Sequence, residues 1–439
     1  MQEQIDVLII GGEVLTQNLQ HERIQNGAVA VKEGKIVAVG SREDLQARFQ
    51  AKEIVDATGK VILPGLVNAH THAAMTIFRG IADDITLEPW LQTIWPLELK
   101  FANDVNVALG SEMAFAEMIR GGTTTAADMY WHYQAATDVA KKVGFRLFNG
   151  IGAIDILDNE SKESLEYRTR EYIETYQGDE LIRPCVQVHA TYTVSRETLL
   201  LVKKLAQEYG VVFVTHASES RAELQDVLEK TGKTPIHYLE ELGMLGRQTL
   251  LAHGVHLDDE EIQILAKQKV SIAHCPSSNL KLGSGIARVA DLLAAGVNVA
   301  IGTDGCASNN DLDMWEEMHL TALIQKGVRH DPTVLPAEQV LYMATMGGAI
   351  ALNLDDRIGS LEAGKQADLI IMDFDSLHLT PVYDVVSHLV YTAKASDVEA
   401  TMINGRWMMR EKRLITIDEA QVKDAVRQLV EKMKAEVQD

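Results

Sequence analysis

From about Leu66 onward, the hydrophobic and polar positions alternate between two patterns. Short apolar, β-like runs end near His72, Asp128, Gly150, His189, His216, His253, His274 and Asp304. Between most of them lie stretches with helical spacing, among them "NVALGSEMAFAEMIRGG", "SRETLLLVKKLAQEYG" and "IARVADLLAAG". Several close on glycine, as helix C-caps do. Eight strands alternating with helices over about 290 residues predict a (β/α)8 barrel. A doubly wound sheet is the rival, but no GxGxxG follows any strand.

The ends of the chain read differently. "DVLIIGGEVLTQN" and "GAVAVKEGKIVAVG" are short β-branched runs, punctuated by Gly11-Gly12 and Glu33-Gly34 in the manner of hairpin turns. "ADLIIMDFD" and "EATMINGRWMMR" have the same character, and Asn404-Gly405 is a strong hairpin signal. The economical reading is one small β-sandwich built from both termini, residues 1–63 with 361–439. The barrel, residues 64–360, is inserted in it. The tail from Ile417 to Val437 reads as a polar amphipathic helix packed outside.

Composition narrows the function. The 439 residues include 46% hydrophobic and 24% charged, ordinary for a packed soluble globule. Lys+Arg 41 against Asp+Glu 63 leaves a net charge of −22, which argues against a nucleic-acid binder. The first apolar run, Val7 to Ile10, follows Glu3 and Asp6, so a signal peptide is not expected. No apolar stretch has the length of a membrane span. Cys185, Cys275 and Cys306 are far apart without a CxxC pair, which fits reduced thiols and a cytoplasmic setting.

Of 14 histidines, six fall at or just past predicted strand ends: His70, His72, His189, His216, His253 and His274. C-terminal strand ends form the active-site face of such a barrel. In "NAHTH", His70 and His72 stand at i and i+2 of a strand and project to one face. Two such imidazoles can share one ion. His216 after "VVFVT" supplies a third nitrogen, and Asp304 in "VAIGTDG" supplies an oxygen. Three His and one Asp leave room for water, as catalytic zinc sites do, and iron or manganese also suit these ligand types. Glu219, three residues past His216, sits near the start of the next helix, where it can act as an acid or simply favour the helix dipole. His253 can hydrogen-bond an attacking hydroxide or bond to a backbone carbonyl. His256 belongs to the loop beyond.

The ordered series "PGLVNAHTHAAMTIFRGIADD", "WPLE", "GGTTTAADMY", "HATYTVS", "HASES", "HCPSSNLKLGSG", "GTDGCASNNDLDM" and "IGSLEAGKQADLIIMD" resembles the amidohydrolase superfamily. Within it the chain resembles the 5-methylthioadenosine/S-adenosylhomocysteine deaminases and their chlorohydrolase cousins, over essentially its whole length. The resemblance implies an α/β fold, a distorted (β/α)8 TIM barrel in a discontinuous β-sandwich. It implies one divalent metal, usually zinc, and a homodimer or higher homo-oligomer. His70, His72, His216 and Asp304 match its metal ligands. Glu219 matches the acid that protonates purine N1, and His253 the histidine that acts with Asp304. His189 matches a substrate-contacting histidine, and Glu98 the carboxylate that binds ribose hydroxyls. His189 stands where binuclear relatives carry a lysine, which favours one metal.

One departure concerns the 5′-group. Asn149 stands where thermophilic relatives resemble a pattern with an arginine suited to a homocysteine carboxylate. Arg146 lies within the strand, and Arg168 in the next helix has no position from sequence. A neutral 5′-group, such as methylthio, is therefore expected, with Phe78 and Trp95 as candidates for an apolar wall. His274, Ser277 and Asn279 face the purine or order their loop, and Cys275 and Cys306 are packing residues. The resemblance implies hydrolytic deamination of an adenine nucleoside to its inosine analogue and ammonia. 5′-Methylthioadenosine is expected ahead of S-adenosylhomocysteine, adenosine and 5′-deoxyadenosine, with no nucleic acid or membrane partner. Rivals are guanine or pterin deamination, triazine dechlorination, a non-catalytic scaffold barrel, and a phosphate-binding barrel enzyme. The last is disfavoured by the lack of a Gly-rich phosphate loop after the final strands.

Overall fold

Eight short apolar segments form parallel strands: Leu66–Thr71, Thr123–Asp128, Arg146–Ala153, Ile182–Ala190, Phe213–Ala217, Thr249–His253, Ser271–His274 and Asn298–Ile301. They pair in chain order. The computed structural model describes residues 2–157 and 160–438. Strands buried on both faces carry continuous apolar runs, because helices cover one side and barrel side chains the other. Every residue of Leu66–Thr71 and Thr123–Asp128 is buried. The third strand continues to Ala153, three residues past its predicted end.

The first and last strands come together at the level of the site. The Asp304 N–H donates to the His70 carbonyl at 3.0 Å. Gly302 permits this approach, since a Cβ there would lie 2.8 Å from the His70 backbone oxygen. The outer helices are capped as their sequences suggest. Ser195 accepts from Thr198 N–H, and Gly210 closes the same helix, Arg196–Tyr209, in the left-handed conformation. "IARVADLLAAG" forms a shorter helix than its spacing suggests, Val289–Ala294.

Both termini contribute to a separate nine-stranded sheet, in which Lys60–Pro64 pairs antiparallel with Leu369–Asp373. Apolar clusters built around Ile9 and Leu8 pack this sheet. Alternate residues of a strand point to opposite faces, so these neighbours serve different clusters. This sheet beside the barrel is the α/β architecture expected.

Asn404-Gly405 makes a two-residue hairpin between Val398–Ile403 and Arg406–Arg410, with φ of 49° and 73°. Glu33-Gly34 does the same between Arg23–Lys32 and Lys35–Ser41. Gly11-Gly12 is not a turn. It lies inside the continuous strand Glu3–Leu15, where the register shifts on both sides of Gly12. A glycine pair in a strand accommodates a bulge as readily as a hairpin, and only pairing distinguishes them. The tail helix, Glu419–Gln438, packs Met433 into a cluster with Trp90 and Phe101. No described helix is long and apolar enough to cross a membrane. The three cysteines are buried and free.

Arg146 ties the barrel to the second sheet. It is 1% exposed, and its Nε and Nη2 donate to the equally buried Asp368 carboxylate at 3.0 and 2.9 Å. Asp368 also accepts from the Asn404 N–H at 2.8 Å. Removing one partner of such a pair strands a buried charge. Arg146→Ala is expected to destabilise the fold by about 3–5 kcal/mol in denaturant unfolding. Arg146→Met combined with Asp368→Leu should lose less than that.

Candidate active site

The sequence places three imidazoles at the ends of two barrel strands, and the fold brings them together. His216 Nε2 lies 3.2 Å from His70 Nε2 and 3.3 Å from His72 Nε2. Asp304 Oδ1 lies 3.2 Å from His72 Nε2 and 3.6 Å from His70 Nε2. The strand itself ends at Thr71, so His72 opens the following 3-10 turn, Ala73–Phe78, and its ring still joins the cluster.

Backbone carbonyls orient two of the rings. His216 Nδ1 donates to the His189 carbonyl at 2.6 Å, and His72 Nδ1 donates to the Met129 carbonyl. With Nδ1 carrying the proton, each Nε2 presents a lone pair to the others. Acceptors held this close repel unless a positive charge stands among them, and this is how metal-binding histidines are prepared. The donor set of three imidazoles and one carboxylate thus fits a divalent ion.

Asp304 is held on both oxygens. Oδ1 accepts from the Gly305 N–H at 2.8 Å, and Oδ2 accepts from Ser278 Oγ at 2.6 Å and Ser308 Oγ at 3.1 Å. Burial alone would raise its pKa, but the His70 and His72 imidazoles beside it hold it well below the usual carboxylate range. Its φ is 60°, and that of His253 is 76°, both left-handed without glycine. Such backbone costs roughly 1–3 kcal/mol per residue and persists where packing over-determines it, often at functional sites.

Glu219 stands just before the Ser220 cap of the helix Arg221–Thr231 rather than in its first turn. Its Oε2 lies 3.6 Å from His253 Nε2. Burial raises Glu219 to about 7, against the opposing pull of His253. His253 Nδ1 contacts Asn279 Oδ1 at 2.9 Å. His70, His216 and His253 also lie close enough to form a second metal-competent triad.

These groups line a cavity of about 300 Å³, within the usual range for small-ligand sites. Trp95, Glu98 and His189 line it as well. The His189 ring lies 5.8 Å from Trp95 and 4.9 Å from His216, and burial lowers its pKa to about 3. Burial raises Glu98 to about 7. Arg168, without a place from sequence, lines the cavity too.

Four sequence candidates lie elsewhere. Phe78 is 1% exposed in a neighbouring core cluster and does not line the cavity. Asn149 is buried and bonds to the Tyr133 carbonyl. His274 is buried, with neither ring nitrogen partnered, and is absent from the described cavity lining. Ser277 meets Glu317 through its backbone. His256 bonds to Ser284 in its loop, as expected.

Sequence reading missed four supports. Ser278 and Ser308 hold Asp304. Glu223 accepts from the Ser218 and Glu219 N–H groups at 3.1 and 2.7 Å, fixing the chain on which Glu219 sits. The S-x-x-E spacing of Ser220 and Glu223 signals a helix start and could have found it. Buried Glu317 accepts from Ser277 N–H at 3.2 Å and Asn309 Nδ2 at 2.8 Å, joining the loops behind Asp304 and Ser278.

Known proteins resemble the chain over nearly its whole length. The chain is 45% identical to a 5-methylthioadenosine/S-adenosylhomocysteine deaminase of Syntrophobacter fumaroxidans, covering 98% of each. It is 41% identical to a 5'-deoxyadenosine deaminase of Methanosarcina acetivorans, covering 98% of this chain and 99% of that protein. It superposes on the crystal structure of a Xanthomonas campestris adenosine deaminase with bound zinc, with a TM-score of 0.97 and 38% identity. That match covers 99% of this chain and all of the other. A short stretch, residues 27–49, matches an imidazolonepropionase-like composite domain. Residues 61–408 match the amidohydrolase family, and the chain belongs to it.

Proposed function

We propose that this protein is a metal-dependent deaminase that converts adenine nucleosides to their inosine analogues and ammonia. The observation that carries this is the convergence of three imidazole acceptors and Asp304 beside Glu219, a carboxyl raised to about 7. Relatives with deaminase names over nearly the whole chain support the adenine nucleoside.

His70, His72, His216 and Asp304 would hold one divalent ion, zinc before iron or manganese. When bound, the ion supplies positive charge that makes water acidic near neutral pH. Asp304 and His253 receive the proton of water as its oxygen attacks purine C6. Glu219, a carboxyl that burial raises to about 7, donates to N1, so no ring anion forms. The amino group takes a proton from this pair of bases and leaves as ammonia, while the proton of the new C6 hydroxyl passes to Glu219 as the carbonyl forms. His189 contacts the purine, Trp95 beside it adds apolar wall, and Glu98 accepts from the ribose hydroxyls.

A neutral 5′-substituent fits the cavity better than a carboxylate. Leu87, Leu91 and Ile151 line it. Its two long cations already meet acids: Lys162 binds Asp155 at 2.9 Å and Arg168 binds Glu160 at 2.8 Å. Arg168 also lies over the Tyr133 ring. A soluble cytoplasmic homo-oligomer, and the division of the chain into 1–63 with 361–439 around 64–360, belong to the same proposal.

Glu219→Gln is expected to lower turnover by about 10²–10⁴-fold, followed by the absorbance change of adenosine to inosine. Near wild-type turnover would defeat its role as acid. Chelator-stripped protein should be inactive and regain activity with zinc; full activity at negligible metal content would defeat the metal reading. In side-by-side steady-state kinetics, kcat/KM for 5′-methylthioadenosine or 5′-deoxyadenosine should exceed that for S-adenosylhomocysteine. The reverse order would overturn the neutral 5′-group and point to a lining cation such as Arg168 as a carboxylate partner.

A further inference from the structure

Among the described residues, two buried polar atoms on the cavity wall are outside hydrogen-bond geometry with any partner. Glu98 lies near the end of the helix Leu87–Phe101 and is 1% exposed. Tyr130 follows the second barrel strand and is 4% exposed. Both line the cavity, and among the described residues neither Glu98 Oε1 nor Tyr130 Oη has a partner in hydrogen-bond geometry, although each lies near enough to act on the other. The two groups are neighbours. Burial raises the Glu98 pKa, and the Tyr130 hydroxyl opposes that rise. Burial first, then Glu98, pushes Tyr130 well above its ordinary value, so it remains a neutral phenol.

Buried polar atoms are rarely left unsatisfied in a working protein. The chemistry of this pair selects what would satisfy it. A carboxylate only accepts, whereas a phenol donates one hydrogen and can also accept. An ether oxygen would serve Tyr130 and leave Glu98 unmet. An ammonium would serve Glu98 and leave the Tyr130 hydrogen unused. A hydroxyl does both, donating to Glu98 and accepting from Tyr130. A vicinal diol gives each carboxylate oxygen a donor and offers the phenol a lone pair.

We infer that Tyr130 is a substrate-binding residue that completes, with Glu98, a subsite for a sugar hydroxyl. It sets a preference for the ribonucleoside over the form lacking the hydroxyl it touches. This rests on the nucleoside reading above. A site built to bond a hydroxyl rejects the analogue without it, because its own buried groups are then left unpaired.

The test compares wild type and Tyr130→Phe on 5′-deoxyadenosine and on its 2′-deoxy and 3′-deoxy analogues. Tyr130→Phe keeps the ring, so packing is conserved, and the thermal midpoint checks the fold. KM for 5′-deoxyadenosine should rise roughly 5–20-fold, the scale of one buried hydrogen bond. For at least one analogue KM should change by less than about twofold, since the partner is already missing. Equal loss on all three substrates, or loss on none, would overturn the assignment. Wild-type protein inactive on all three would remove the nucleoside reading and the subsite with it. That outcome is visible before any variant is made.

Discussion

The structure turns on a repulsion that the fold enforces. Three imidazole nitrogens crowd together, His216 Nε2 at 3.2 and 3.3 Å from the Nε2 atoms of His70 and His72, and backbone carbonyls pin two of the rings from behind so that their lone pairs point inward. In water such groups would turn away. Here they are largely buried, and the strands that carry them are locked into one barrel. Gly302 lets the last strand approach the first, and the Asp304 N–H seals that contact on the His70 carbonyl. The same backbone segment that closes the barrel therefore delivers the carboxylate to the histidines.

Burial then sorts the acids by their neighbours. Asp304, beside His70 and His72 and with donors on both oxygens, stays charged. Glu219 and Glu98 rise to about 7 because desolvation outweighs what opposes it. One pocket thus holds a permanent base and, in Glu219, a carboxyl able to carry a proton near neutrality. Separating pKa values by environment is how a single site runs acid and base steps together. In the proposed deamination Glu219 needs this elevation, since an ordinary carboxyl would be ionised at pH 7.

Much of this was legible in the chain because barrel periodicity is a local signal. Each strand is a short apolar run, and the histidines mark where several stop. His70, His72, His216, His253 and Asp304 meet where that logic puts them. What escaped was what depends on pairing or on reach across the fold. Gly11-Gly12 reads like a turn, yet only its neighbours reveal a bulge. Ser278 and Ser308 are ordinary serines in polar loops until the fold points both at one carboxylate oxygen. Arg168 is one of several charges on a helix, and only tertiary placement sets it at the cavity. His274 had two readings open to it, and it does not line the cavity, because a strand-end histidine need not turn into the pocket.

The net charge of −22 gains a physical meaning from this geometry. An adenine nucleoside with a neutral 5′-group is uncharged, so the acidic exterior does not oppose its approach. A zwitterionic or anionic 5′-group would have to enter past carboxylates whose cations are already engaged. Specificity would then come from an apolar wall for the 5′-group and hydrogen bonds for the sugar and the ring. That division suits a small uncharged ligand, because desolvation is cheap for the first part and directional for the second.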